Sequence, residues 1–247
     1  LGIDRLNNYK IDNYLKSDLT DLKKLERIIK KNDIVLHFAG MSDIEDCQSN
    51  PLRTIDQNIK HTFNLANICL KKKVKNFVFA SSLYVHSNSG SFYKASKLSA
   101  EKYLEELSKL GLNILILRFG SLYGPRAGKN NSMYKIIRKI LDKKKITYYG
   151  TGEEKREFLN VIDAAKSTIE LINKNYVNKK ITISGNEKLS YNDLFLLLSE
   201  VVEKKLLISK KKKHSSSHYN FTPYNTSIEM NEKYIPNSLF LQALSNE

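Results

Sequence analysis

Apolar and polar positions alternate along this chain in two rhythms. Short unbroken apolar runs bounded by Gly, Asn or Pro read as strands buried on both faces, and longer stretches with apolar positions three and four apart read as helices between them. Ile34-Val35-Leu36-His37-Phe38-Ala39-Gly40 is a run of the first kind and predicts a doubly covered parallel strand. Phe77 to Ala80, Leu112 to Arg118 and Ile181 to Ser184 predict further strands, and Ile146 to Gly150 a shorter one. Helices are predicted from Asp18-Leu19-Thr20-Asp21 through Ile29, with Asp18 or Thr20 as cap, and over Leu52 to Leu70 behind Asn50-Pro51. Others are predicted around Tyr93 and over Met133 to Leu141, Ala164 to Ile172 and Asp193 to Val202. Leu1-Gly2-Ile3-Asp4 reads as the end of a strand with an acid at its tip. Strands alternating with helices give an α/β fold with a doubly wound, Rossmann-like parallel sheet. The tail from Ser209 is rich in Lys and Ser, and Pro236 interrupts its last helical stretch.

Composition narrows the function classes. A chain of 247 residues can bury a sizeable core as one large domain or one with a small appendage. No apolar run reaches membrane-spanning length and Leu1 does not open a signal peptide, so the expectation is a soluble, cytoplasmic protein with no membrane partner. Cys47 and Cys69 lack metal-ligand spacing and read as reduced structural thiols. His214 and His218 stand without acidic or cysteine companions, and no metal is expected. The formal charge of +15 invites a polyanion. The lysines are spread over every segment, however, and only Lys71 to Lys73 and Lys210 to Lys213 form short runs. Without interleaved aromatic residues this argues against a nucleic-acid partner, while a positive surface still attracts an anionic substrate such as a sugar diphosphate.

The chemistry concentrates between Phe77 and Lys97. A buried strand there delivers Ser81 and Ser82 to its carboxyl end, a polar loop follows, and a helix places Tyr93 and Lys97 four apart on one face. A free tyrosine titrates near pH 10, and a lysine ammonium beside it would favour the phenolate and lower that value. Tyr93 could then take the proton of a substrate hydroxyl held by Ser82 while a nicotinamide takes the hydride from the same carbon. On its own a Tyr and Lys four apart on a helix is more often a pair of amphipathic surface side chains.

The surrounding motifs change that balance. Val35-Leu36-His37-Phe38-Ala39-Gly40, Ser81-Ser82, Tyr93-x-x-x-Lys97, Leu117-Arg118 with Tyr123-Gly124-Pro125, and Arg156-x-Phe158 with Val161-x-Asp163 follow one another in an order that resembles the extended short-chain dehydrogenase/reductases, in the NAD-dependent epimerase/dehydratase group acting on nucleotide sugars. The resemblance runs from Leu1 to about Glu203, and the segment from His37 to Gly40 is similar to that of UDP-galactose 4-epimerases. It implies Tyr93 as base, Lys97 as its partner and ribose ligand, and Ser82 as the hydroxyl on the substrate oxygen. It also implies cofactor contacts from Asp18 and Leu19 at the adenine and from Phe38, Ala39 and Gly40 at the middle of the cofactor. Ser121, Tyr149 and Arg156 would contact the substrate, Arg156 through its diphosphate, which its forked donors suit. Residues 1–125 would form the cofactor-binding core and 126–247 a small α/β substrate region, with 158–185 returning to the core sheet. NAD is the implied cofactor, with Asp4 at the ribose, and neighbouring Arg5 keeps NADP open. Pairing of two copies through helices including that of Tyr93, and a place in surface-polysaccharide synthesis, are implied as well.

Three departures qualify the resemblance. The glycine-rich phosphate fingerprint and the strand before it are absent, so we expect the chain to belong to a longer protein and its cofactor site to be incomplete. Leu83 and Tyr84 stand where dehydratases of the family carry an acidic pair, and without such proton carriers water elimination and decarboxylation are not expected. The loop between Ser82 and Tyr93 is short for the family, and Ser121 stands where many members have asparagine. The expected reaction is 4-epimerisation of a nucleotide-activated hexose through a transient keto sugar. The alternatives are a nucleotide-sugar 4-reductase or dehydrogenase, and a catalytically idle nucleotide-sugar-binding module.

Overall fold

The computed structural model describes residues 2–4, 14–185, 187–211 and 233–234; Arg5, Lys212, Lys213, His214, His218 and Pro236 lie outside them, as does the side chain of Asp4. Its centre is a five-stranded parallel sheet in the order β12-β9-β5-β4-β3. These strands are β3 (Ile34–His37), β4 (Asn76–Ser82), β5 (Ile114–Phe119), β9 (Lys179–Ile183) and β12 (Lys233–Tyr234). β1 (Gly2–Asp4) and β2 (Tyr14–Lys16) form a separate parallel pair.

The period of two along β4 and β5 sorts side chains between two cores. Phe77, Phe79, Ile114 and Ile116 point into a cluster roofed by α1 (Leu22–Ile28), α4 (His61–Lys72) and α5 (Ser91–Lys109). Val78, Leu115, Leu117 and Phe119 point the other way, toward Ala164 and Leu171 of α7 (Val161–Asn173). A third cluster lies under α6 (Ser132–Leu141) and α8 (Tyr191–Val201). Two small sheets accompany it. One is β10-β8-β6, formed by β10 (Lys188–Ser190), β8 (Lys155–Asn160) and β6 (Ser121–Tyr123); the other pairs β11 (Ile208–Lys211) with β7 (Ile146–Tyr149).

Several expectations need correction. β3 is not doubly covered: Val35 and His37 face the α4 side, but Ile34 and Leu36 on the other face are 39% and 44% exposed. α7 packs over β5 and β9, and among the described residues no strand pairs with the far edge of β3. An apolar run reports affinity for cover, not its presence. The cap of α1 is Asp21, which accepts from Lys24 N at 3.1 Å, while Asp18 turns back on Thr20. The helix expected from Leu52 to Leu70 is built in three parts. They are α3 (Pro51–Thr54), a π-helical turn (Ile55–Lys60) in which the His61 amide reaches back to the Asp56 carbonyl, and α4. The short α2 (Ile44–Ser49), capped by Asp43, precedes them.

Candidate active site

α5 meets the carboxyl ends of β3 and β4. α5 carries a buried stripe, Tyr93, Ser96, Lys97, Ala100, Glu101, Leu104 and Leu107, whose spacing of three and four keeps one face against the sheet. Tyr93, Lys97 and Glu101 are therefore stacked one turn apart on the face that meets β4. Gly90, at φ 112°, lets the chain enter this helix where a side chain would strike Lys94 and Tyr84.

Ser82 lies beside Tyr93 and accepts from Tyr84 N at 3.3 Å, and Lys97 Nζ donates to the Ala80 carbonyl at 2.8 Å while lying 4.9 Å from the centre of the Phe79 ring. Burial raises the Tyr93 phenol to about 12, the nearby Ser82 hydroxyl offsetting part of the rise. This reverses the expectation that Lys97 would lower it. The ammonium is drawn to the strand carbonyl, and desolvation outweighs the neighbouring hydroxyl. Burial also brings Lys97 down to about 8, with Cys47 and Glu101 pulling the other way.

Behind Lys97 lies a buried polar network that sequence reasoning missed. Arg118 of β5 grips Glu101 with Nε at 3.1 Å and Nη2 at 2.7 Å, and its Nη1 meets His86 Nε2 at 2.9 Å. Ser81 donates to the same carboxylate. The network ties α5, the ends of β4 and β5, and the 3-10 turn Leu83–His86 into one block. The repeat of four from Tyr93 through Lys97 to Glu101 was the available signal.

Asn58, inside the π turn, is the second missed residue. Its Oδ1 accepts from Met41 N at 2.7 Å, and its Nδ2 donates to Met41 O at 3.0 Å and to Ser96 Oγ at 2.9 Å. It thereby fixes the loop after β3 to α5. At Gly40, φ is 146°, and an added Cβ would come 2.8 Å from Asn58 Oδ1 and 3.9 Å from Lys97 Nζ. Phe38, Ala39 and Gly40 form an exposed shelf there, with Phe38 6.1 Å from the Phe119 ring.

The structure thus gathers Gly40, Ser82, Tyr93 and Lys97. Arg156, far from being a surface residue, is 3% exposed and hydrogen-bonded to Tyr84, which packs edge-on against Tyr93. Ser121 opens β6 opposite Phe158, and Tyr149 ends β7, 44% exposed. Asp18 and Leu19 stand on the turn after β2: Asp18 accepts from Thr20 N at 2.9 Å, and Leu19 packs on the α1–α4 core. Asp4 ends β1. Cys47 and Cys69 are buried free thiols, and among the described residues no cluster of His, Cys, Asp or Glu could hold a metal ion.

This arrangement agrees with a family-wide match. The model of the NAD dependent epimerase/dehydratase family fits residues 1–184. The chain belongs to that family. It is 26% identical over 205 residues to an uncharacterized UDP-glucose epimerase of Bacillus subtilis, covering 77% of this chain but only 63% of that protein. It is 26% identical over 237 residues to the UDP-glucuronate 4-epimerase of Thermodesulfobacterium geofontis, covering 83% of this chain and 73% of the relative. Among solved structures it resembles the UDP-N-acetylglucosamine 4-epimerase of Methanobrevibacter ruminantium, in complex with UDP-N-acetylmuramic acid, with TM-score 0.84 at 26% identity, over 98% of this chain and 87% of that one. No helix among the described residues is long and apolar enough to cross a membrane.

Proposed function

We propose that this site performs NAD-dependent 4-epimerisation of a nucleotide-activated hexose. The observation that carries the reading is the placing of Ser82 at the end of β4 beside Tyr93, with Lys97 one turn along α5. The relatives just described support the substrate class.

The shelf fits a dinucleotide in its middle part. The shelf is exposed, and the missing side chain of Gly40 lets its backbone lie close to Asn58, with Lys97 beside it. Phe38, Ala39 and Gly40 would hold the cofactor, with Lys97 at its ribose and Asp4, Asp18 and Leu19 at its adenosine end. Bound NAD supplies a hydride acceptor and donor at the sugar carbon. Ser82 holds the C4 oxygen and Tyr93 takes its proton. Tyr93 later returns that proton to the oxygen after the keto sugar has turned over, so the sugar is rebuilt with the opposite configuration. A phenol at about 12 is a poor base at neutral pH. Its activation therefore requires positive charge beyond what Lys97, turned to the Ala80 carbonyl, supplies here, and a bound NAD would bring it. Arg156 would neutralise the diphosphate, with Tyr149 at the base and Ser121 at the sugar.

Residues 1–125 then act as the cofactor half and 126–247 as the substrate half, and β9 carries the latter back into the central sheet. The free buried thiols Cys47 and Cys69 fit a reducing cytoplasm. Tyr103 of α5, exposed with Phe63 of α4 against it, supports contact between two copies through these helices. The test is incubation with NAD and UDP-, dTDP- and GDP-hexoses, read by mass and proton NMR. Unchanged mass with inverted C4 coupling is expected; a two-hydrogen mass change with cofactor consumed would replace epimerisation by reduction or oxidation.

A further inference from the structure

The 3-10 turn after β4 carries Tyr84 between two residues on which the proposed reaction depends. Its ring meets Tyr93 edge-on, with centroids 6.3 Å apart at 72°. Its hydroxyl accepts from the Arg156 guanidinium. Arg156 is anchored in turn, with Nη1 donating to the Lys155 carbonyl at 2.8 Å and Cζ 5.8 Å from the centre of the Tyr191 ring. On the remaining side a Cβ at Gly90 would lie 3.0 Å from Tyr84 Cδ1, so the entry to α5 closes on the ring. The ring has a fixed seat and the hydroxyl a charged partner. Burial holds the phenol above its ordinary range, and it keeps its proton at neutral pH. A neutral, immobile phenol here is suited to spacing rather than to proton transfer.

We infer that Tyr84 is a positioning residue that sets the substrate's two ends in register, its hydroxyl fixing Arg156 at the diphosphate and its ring fixing Tyr93 at the sugar. The inference rests on the site reading given above. It separates two roles within one side chain. Tyr84→Phe keeps the ring against Tyr93 and removes one support of Arg156, whereas Tyr84→Leu removes the support of both residues. Loss of a hydrogen bond to a charged group corresponds to about a tenfold loss of affinity.

The experiment titrates UDP, dTDP and GDP into the full chain, Tyr84→Phe, Tyr84→Leu and Arg156→Lys by calorimetry, with melting temperatures and steady-state kinetics of each. For the nucleotide that binds the parent protein best, Tyr84→Phe is expected to bind about tenfold more weakly with a melting temperature only about 2–4 °C lower. Its KM should rise while kcat stays within about twofold, and Tyr84→Leu should lose kcat as well. If Arg156→Lys weakens binding and Tyr84→Phe does not, the positioning role is wrong and the site reading stands. If the parent binds none of the three nucleotides, the reading of Arg156 fails and takes this inference with it. A Tyr84→Phe variant that loses KM, kcat and melting temperature together makes Tyr84 a packing residue and also overturns the inference.

Discussion

Strands β3 and β4 are neighbours in register and end at the same site, yet their surroundings differ. Leu36 and Val78 are directly paired across the two strands, but Val78 is fully buried under the α7 side of the sheet while Leu36 is 44% exposed. At the end of β4, Ser81 is held by Glu101, Ser82 by the Tyr84 amide and the Ala80 carbonyl by Lys97. At the end of β3, Phe38, Ala39 and Gly40 stand open. The contrast follows the two tasks. A base and the hydroxyl it serves must keep their geometry before the substrate arrives, which only a packed and fully bonded strand end ensures. A shelf for a large cofactor can stay open until the cofactor covers it.

The contrast breaks hardest at Tyr93. Tyr93→Phe should reduce turnover by about 100- to 10,000-fold while calorimetry shows undiminished nucleotide-sugar affinity; equal turnover in variant and parent would remove Tyr93 as the base. Next comes the support behind it. Glu101→Gln leaves the buried Arg118 guanidinium without its counter-charge and should cost about 3–5 kcal/mol in denaturant unfolding. Unaltered stability would show that the network does not brace β4.

On the β3 side, His37 provides a pH signature. It is 2% exposed, its Nε2 lies 2.9 Å from Thr62 Oγ1, and burial pulls its pKa from 6.5 to about 3. Below pH 6.5 the unfolded chain takes up a proton that the folded chain refuses until about pH 3, so stability falls with pH across that window. His37→Gln keeps a hydrogen-bonding group that does not titrate. Between pH 6.5 and 4.5 the parent should lose about 2–3 kcal/mol more than this variant. Parallel stability curves would refute the buried neutral imidazole. The smallest effect sharpens the comparison most directly: Val78→Ala should cost about 2 kcal/mol, and Leu36→Ser less than about 0.5 kcal/mol, although the two residues face each other. Equal costs in unfolding would mean that Leu36 is covered in solution.

Much of this was legible in the chain itself. The alternation of apolar runs and amphipathic stretches predicted four of the five central strands, while β12 lies in a tail read as helical, and the order of motifs around the serines, Tyr93 and Lys97 marked the candidate site. What escaped depends on tertiary context. Ile34 and Leu36 are as apolar as the residues of β4, and nothing in their identity shows which face lacks a roof. Glu101 reads as solvated helix surface until Arg118 is brought from β5 beside it. The direction of the Tyr93 shift turned on where Lys97 Nζ finds its acceptor, a carbonyl on another element. Asn58 was hidden by its helix, since an inward-pointing asparagine breaks no periodic pattern when the backbone itself changes pitch.

That change of pitch limits which gene variants this segment can accept. The π turn at Ile55–Lys60 holds a residue more than an α-helical path needs and absorbs it locally, so Thr62, Leu65, Ala66 and Cys69 stay on the face that reaches the interior. Deleting one exposed residue there, Asp56 or Lys60, would close the turn into a regular α-helix and leave the following helix in register at the cost of the inward seat of Asn58, whereas a deletion within α4 would turn everything after it by about 100°. Substitutions at the same solvent-facing positions should pass unnoticed. Single-codon deletions should therefore be tolerated better in the π turn than in α4.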